Sequence, residues 1–316
     1  MTAGARPDPR PDLSVIIAAT DSPEAVARTL GSLGGPDARR VEVIVAAPWP
    51  TAGGGARHVQ GPPKSGVPAL RWLGLQAARG RLVAFTEDSC VARPGWVDAW
   101  IAAFADPALA AASGLVEHDA GATLIDWAVV FCEYAPFLGD RGAGPPPRLA
   151  GNNFAATREA VALASAGGEV HEVALLASVV RTGGEARLVP GAMVRHVRRF
   201  GAREAFGDRF RFGLEFGRMR VASASRVVRW LGPAAGPAIF ASQLARVGRS
   251  ALASRHRGRF VRALPIALAL LASWTLGEWA GWTWGPSKAK KVDRPAKGDR
   301  PRSGSLRRRL GLRRGP

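Results

Sequence analysis

Cysteine is scarce in this chain. Cys90 and Cys132 are the only two in 316 residues, too few for a disulfide framework and without the spacing of a metal site. Neither is read as a redox group: Cys90 falls beside a candidate site, and Cys132 falls in an apolar stretch that suits a core. An apolar signal-peptide core is also missing, because residues 1–11 are small, polar and rich in proline. The body of the protein is therefore expected to stay in the cytoplasm. No GxGxxG follows the first apolar run, so the dinucleotide fingerprint is absent, and no P-loop sequence occurs, which speaks against a P-loop nucleotidase.

Acid is short relative to base. The chain carries 44 Lys and Arg against 25 Asp and Glu, a formal net charge of +19. Residues 286–316 hold 12 Lys or Arg against 2 Asp, and residues 195–229 hold 10 Arg against 3 acids. Such clusters suit an anionic membrane surface or nucleic acid equally well on charge alone. No nucleic-acid reading module is recognisable, so no specific nucleic acid is expected. With 47% hydrophobic residues, the chain can bury a full core as one large domain, with or without appendages.

In chain order, Leu13 to Ala19 is a continuous apolar strand of the kind found in the middle of a parallel sheet. Thr20-Asp21-Ser22-Pro23-Glu24 reads as a helix start, and Gly34-Gly35-Pro36 stops the helix. Val41 to Val45 is a second strand, giving a right-handed βαβ unit. Residues 52–64 read as loop and 67–78 as helix. Leu82 to Phe85 then forms a buried strand that ends in Glu87-Asp88. Open α/β sheets present their ligands at such ends. Adjacent acids there are costly unless a cation, a ligand or water meets them. A solvated turn capping the next helix fits the same residues.

Arg71, on the helix before this strand, is placed to face a phosphate or to lie on the surface. Residues 123–137 form a core helix or one wall of an acceptor groove. Asn152-Asn153 offers short amides for sugar hydroxyls or for a local turn. Glu172, in a first helical turn, would be held anionic by the helix dipole, which suits a base or an ordinary stabilising acid. His196 is open to a metal, a phosphate or a structural role.

Together these pieces resemble the inverting family 2 glycosyltransferases, a GT-A-fold group that uses nucleotide-diphosphate sugars. The matching residues are Ser14 to Ile17 and Glu42 to Val45 as strands, Arg71-Trp72-Leu73-Gly74, Ala78-Arg79-Gly80, the Phe85-Thr86-Glu87-Asp88 strand end, Gly151-Asn152-Asn153-Phe154, His171-Glu172-Val173-Ala174-Leu175, and Gly184 through Pro190 to His196. The resemblance spans roughly residues 12–200 and lies in the order and spacing of the pieces. It implies an α/β fold, a GT-A-like open, mostly parallel sheet flanked by helices. It implies Glu172 as the base and Glu87 and Asp88 as donor and metal residues, and it sets the Asn152-Asn153 segment on the acceptor side; Thr20, Arg71, Asn152 and Asn153 complete the candidate binding residues. It also implies a divalent cation, Mn2+ or Mg2+, held by Asp88 and His196. Several positions depart from the family pattern. Ala46-Ala47-Pro48-Trp49 stands where two acids usually read the nucleotide, Ser89 where a last metal acid often lies, His171-Glu172 where Glu-Asp is usual, and Ser178 where an arginine is expected.

After His196 the pattern changes. Phe200, Phe206, Phe210, Phe212 and Phe216 alternate with arginines, which suits a helix at a membrane interface. Residues 230–241 are apolar but short. Residues 264–284 make an apolar segment of near-spanning length, ending in Trp279, Trp282 and Trp284 and followed by Lys288, Lys290 and Lys291. A spanning helix, an interfacial helix and a buried helix all fit this segment. The expected organisation is a disordered 1–11, a GT-A-like domain over 12–199, a helical membrane-associated region over 200–285, and a basic disordered tail over 286–316. The function expected is transfer of a sugar, with inversion, from a nucleotide-diphosphate sugar to a glycolipid, polyprenyl-linked or polysaccharide acceptor at an anionic membrane, with the catalytic domain on the cytoplasmic side. The alternative is a catalytically degenerate relative that binds or scaffolds there.

Overall fold

The computed structural model describes residues 10–35, 37, 40–51, 53–119, 121–139, 141–165, 167–223 and 236–284. The basic segment 286–316, nearly all of 1–11 and the first part of the apolar segment 230–241 lie outside these residues.

Strands β1 (Leu13–Ala18), β2 (Val41–Ala47) and β4 (Leu82–Glu87) run parallel. Their apolar runs are almost wholly buried because helices cover both faces. Helix α1 (Pro23–Ser32) joins the first two, and the Ser22 side chain caps it by accepting from the Ala25 amide. Helix α2 (Val67–Ala77) precedes β4. Within the expected loop 52–64 the chain instead forms β3 (Arg57–Gln60), a polar edge strand parallel to β2.

The second half is mixed. Helix α3 (Trp96–Ala103) follows the short strand β5 (Cys90–Ala92), and β6 (Leu109–His118), α4 (Leu124–Tyr134), β7 (Asn153–Thr157), α5 (Arg158–Ala164), α6 (Glu172–Arg181) and β8 (Glu185–His196) come next. The eight strands lie in the order β3-β2-β1-β4-β7-β6-β8-β5. Strand β7 runs antiparallel to both β4 and β6, and β5 runs antiparallel to β8. The expected α/β class, an open sheet flanked by helices and parallel in most of its pairings, is what the structure shows.

Two cores result. On one face Leu13, Val15 and Ile17 join Trp96, Trp100 and the apolar side of α4. On the other, Ile16, Val83 and Phe85 meet α2, α5 and α6. The C-terminal region adds α7 (Ala202–Ser223), α8 (Gly236–Leu252) and α9 (Arg257–Trp284). The first half of α9 joins the core: Phe260, Ala263, Ala267 and Leu270 pack in the cluster that contains Phe131 and Val130 of α4. Its second half lies against α7, where Gly213 and Gly217 oppose Gly277 and Gly281. A methyl group on any of the four would strike the partner's backbone.

Candidate functional site

The register Ala18↔Glu87 sets the loops after β1 and β4 side by side. Asp88 consequently turns inward. Its carboxylate accepts the amides of Thr20 (3.1 Å) and Asp21 (2.8 Å), and the side chain is buried. Helix α1 holds the same turn from below, with Thr29 Oγ1 donating to the carbonyls of Asp88 (3.1 Å) and Cys90 (2.7 Å). Burial pushes the Asp88 carboxyl up to about 6, against the pull of the amides.

Arg71 is the centre of the site. It lies on the inward face of α2 and is only 3% exposed, which settles the choice between surface and interior. Its Nη2 reaches Glu87 Oε1 at 3.2 Å and the Gly151 carbonyl at 2.6 Å. Its Nη1 reaches Glu172 Oε2 at 3.0 Å and the Val170 carbonyl at 3.3 Å. The guanidinium also lies over the Phe154 ring, 5.2 Å from its centroid. One buried cation thus joins the strand-end acid to the acid at the start of α6, residues 85 positions apart.

The two carboxylates differ. Burial raises Glu87 above the ordinary range, with Arg71 only partly offsetting it. Burial also works to raise Glu172, but the charge of Arg71, the helix-start amide and the Arg71 hydrogen bond outweigh it and hold Glu172 below that range. Neighbouring carboxylates with values pulled apart are suited to different duties.

The other expected residues divide. Asn153 is fully used in the fold: its Nδ2 donates to the carbonyls of Leu115 and Ala192, both at 2.8 Å, and its Oδ1 accepts from Trp96 Nε1 at 2.9 Å. Asn152 is also fully buried, yet neither end of its amide has a partner. Its carbonyl accepts from Thr86 Oγ1, so its backbone crosses the end of β4. Thr20 is exposed and contributes its amide to Asp88. His196 lies in an aromatic enclosure, stacked on Phe200 and beside Tyr134 and His118. Burial, then the charges of His118 and Arg198, push its imidazole down to about 3.

Two residues not singled out from the sequence belong here. Arg198, just past β8, pairs with Asp21 (3.1 Å) and Glu204 (2.6 Å), and its charge acts on Glu87. Tyr134, at the end of α4, has its hydroxyl pushed well above its ordinary value by burial and by Glu87. Both lie in stretches whose sequence signal is generic, an arginine cluster and an apolar helix. Helix α4 itself is core, and Asp126 is spent on its N-terminal capping box.

Among the described residues no three His, Cys, Asp or Glu side chains stand close enough to hold a metal ion. Asp88 already accepts backbone amides, and Ser89 replaces the next acid. This donor set does not fit a divalent cation caged by the protein alone.

No family model and no curated protein matches the chain. Among solved structures it is similar to a mannosyltransferase from Pyrobaculum calidifontis in complex with GDP-Man and Mn2+, at 18% identity over 89% of this chain and 88% of that one, TM-score 0.47. It is similar also to a mycobacterial protein, at 21% identity over 65% and 73% of the two chains, TM-score 0.46. A third is glucosyl-3-phosphoglycerate synthase from Mycobacterium tuberculosis with Mn2+, UDP and phosphoglyceric acid, at 20% identity over 60% and 72%, TM-score 0.42.

Proposed function

We propose that this chain is an inverting, GT-A-like glycosyltransferase of family 2 type, moving a sugar from a nucleotide-diphosphate sugar to a hydroxyl of a glycolipid, polyprenyl-linked or polysaccharide acceptor at a membrane on its cytoplasmic side. The observation that carries the reading is the buried Arg71 bridge between Glu87 and Glu172 at the carboxyl end of β4. The donor lies across that strand end, near Thr20, Asp88 and the unpartnered amide of Asn152. Glu172 keeps one oxygen on Arg71 and offers the other to the acceptor. It takes the hydroxyl proton as the acceptor oxygen attacks the anomeric carbon. The bond from that carbon to the diphosphate oxygen breaks, its electron pair leaves with the diphosphate, and configuration inverts. The leaving charge is met by Arg198 and Arg71. A Mn2+ or Mg2+ ion that travels with the donor would take most of its ligands from phosphate and water, with Asp88 as the protein's contribution, and would supply positive charge to the diphosphate.

The alternative, a degenerate protein that binds a donor without turnover, is favoured by Ser89 and by the Asp88 carboxylate's use of its oxygens on the β1–α1 loop. Both readings are tested by a nucleotide-sugar panel with a host lipid fraction as acceptor, run with wild type and Glu172→Gln, with Mn2+ or Mg2+ and with a chelator. Turnover lost in the variant while donor binding survives supports catalysis. Binding without turnover in wild type moves the reading to the degenerate protein, and absence of donor binding removes both.

A further inference from the structure

Between Ala263 and Gly277 helix α9 carries no charge on any side, yet only one side is covered. Towards the protein it buries Phe260, Ala263, Ala267 and Leu270 against α4, and then Gly277 and Gly281 against α7. On the opposite side Val261, Pro265, Ala269, Leu276 and Trp279 are all exposed. Their spacing sets them on one stripe, less than a quarter of the circumference wide. The helix has 28 residues, so the stripe runs along most of about 42 Å. A helix apolar all round belongs inside a protein or in contact with lipid.

Cations precede the stripe on the helix and follow the helix in the sequence. Arg257, Arg259 and Arg262 are exposed at its start, and Lys288, Lys290, Lys291 and Arg294 follow Trp284 in the sequence. Trp279 and Trp284, exposed at 49% and 65%, are the residue type that settles at the headgroup level.

The helix is long and apolar enough to cross a bilayer by length and composition. Its packing argues against crossing. Its second half is locked backbone to backbone with α7, which carries exposed Arg211, Glu215 and Arg220. Glu278, on the α7 side of α9, is buried and ion-paired to Arg220 at 2.8 Å. A spanning α9 would draw these charges into hydrocarbon or break the seam. Its first half is equally committed to α4.

We infer that α9 lies flat on an anionic lipid bilayer, with the stripe from Val261 to Trp279 sunk into the headgroup and acyl boundary and the rest of the protein attached above it. The inference builds on the membrane association proposed above and names its surface. It is independent of the transferase chemistry, because its readout needs neither donor nor turnover.

The full chain is tested by co-sedimentation with vesicles of phosphatidylcholine alone and of phosphatidylcholine with phosphatidylglycerol, and host membranes are extracted with high salt and with alkaline carbonate. Expected are binding to the anionic vesicles only, weakened by salt, and release of the protein by carbonate. Leu276→Glu and Trp279→Glu should each weaken binding on the order of tenfold, with the circular-dichroism melt kept as a check on folding. Leu163→Glu, at an exposed apolar residue on α5, should leave binding unchanged. Retention in carbonate-washed membranes overturns the flat geometry in favour of spanning. Equal binding by Trp279→Glu, or binding to RNA with none to vesicles, overturns the lipid assignment. If the catalytic reading fails, vesicle binding is unaffected, so the two failures are distinguishable.

Discussion

Arg71 and its two carboxylates form a unit whose members are not independent. Replacing Arg71 by Met would leave Glu87 and Glu172 facing each other without a cation, and removing one partner of a buried pair costs about 3–5 kcal/mol. Because both acids keep an exposed edge, the lower end is expected, read as a drop in urea midpoint, with Arg71→Lys recovering part of it. Glu172→Gln should lower kcat by about 10²–10⁴-fold while donor affinity changes little. Because Glu172 is held below the ordinary carboxylate range, the acid limb of the wild-type pH–rate profile should also lie below that range. His196 gives a stability prediction. Its imidazole is pushed from 6.5 down to about 3, so between those values the unfolded chain binds a proton that the folded chain refuses. The stability due to neutral His196 is complete above about pH 6.5 and lost as pH falls towards 3, amounting to about 2 kcal/mol by pH 5. Asp88, raised from 3.8 to about 6, runs the other way: its cost is present above pH 6 and relieved below. His196→Phe removes the first effect and keeps the second. The variant should therefore gain stability relative to wild type on moving from pH 7 to pH 5, measured by urea unfolding at both values.

At the scale of elements, the seam between α7 and α9 makes the sharpest prediction. A Cβ on Gly277 would meet the carbonyl of Phe210, and neither backbone can yield without parting the helices. Gly277→Val should lower the melting temperature by several degrees, equivalent to about 2–3 kcal/mol of overpacking, whereas Gly248→Val on α8, with open space around it, should shift it far less. The sequence shows little of this seam, because glycines spaced by four become a contact only when two helices meet. The same limit governs the strands. The first two strands, α1 and α2 are legible because continuous apolar runs are punctuated by Gly and Pro. Strand β3 is polar, β5 has three residues, and β7 opens on an asparagine that reads as a turn until β4 and β6 flank it. In the site, Glu87 is marked by its place at the end of an apolar strand, whereas Arg71 and Glu172 keep two readings each until the family resemblance is added. Arg198 and Tyr134 acquire their places only through tertiary packing of α4 and the end of β8, and no local pattern marks them.

At the scale of the molecule, the sheet and the C-terminal helices share one core. Phe131 meets Phe260 edge to face at a ring separation of 5.1 Å, and Cys132 lies against the Ala267 carbonyl. Truncation after Ser223 would strip α9 from α4 and expose that surface to water. The shortened chain is expected to self-associate and bind ANS, read by size-exclusion chromatography and dye fluorescence; a monodisperse, dye-silent product would show that the sheet domain closes its core unaided. The shared core also sets a timetable. Helix α4 ends at Tyr134 and its cover ends at Trp284, so at about 5–20 residues per second the ribosome works for roughly 8–30 s before the partner is fully made. Throughout that interval the nascent chain presents a bare aromatic face, a natural landing place for a chaperone, and the core can close only after α9 has emerged.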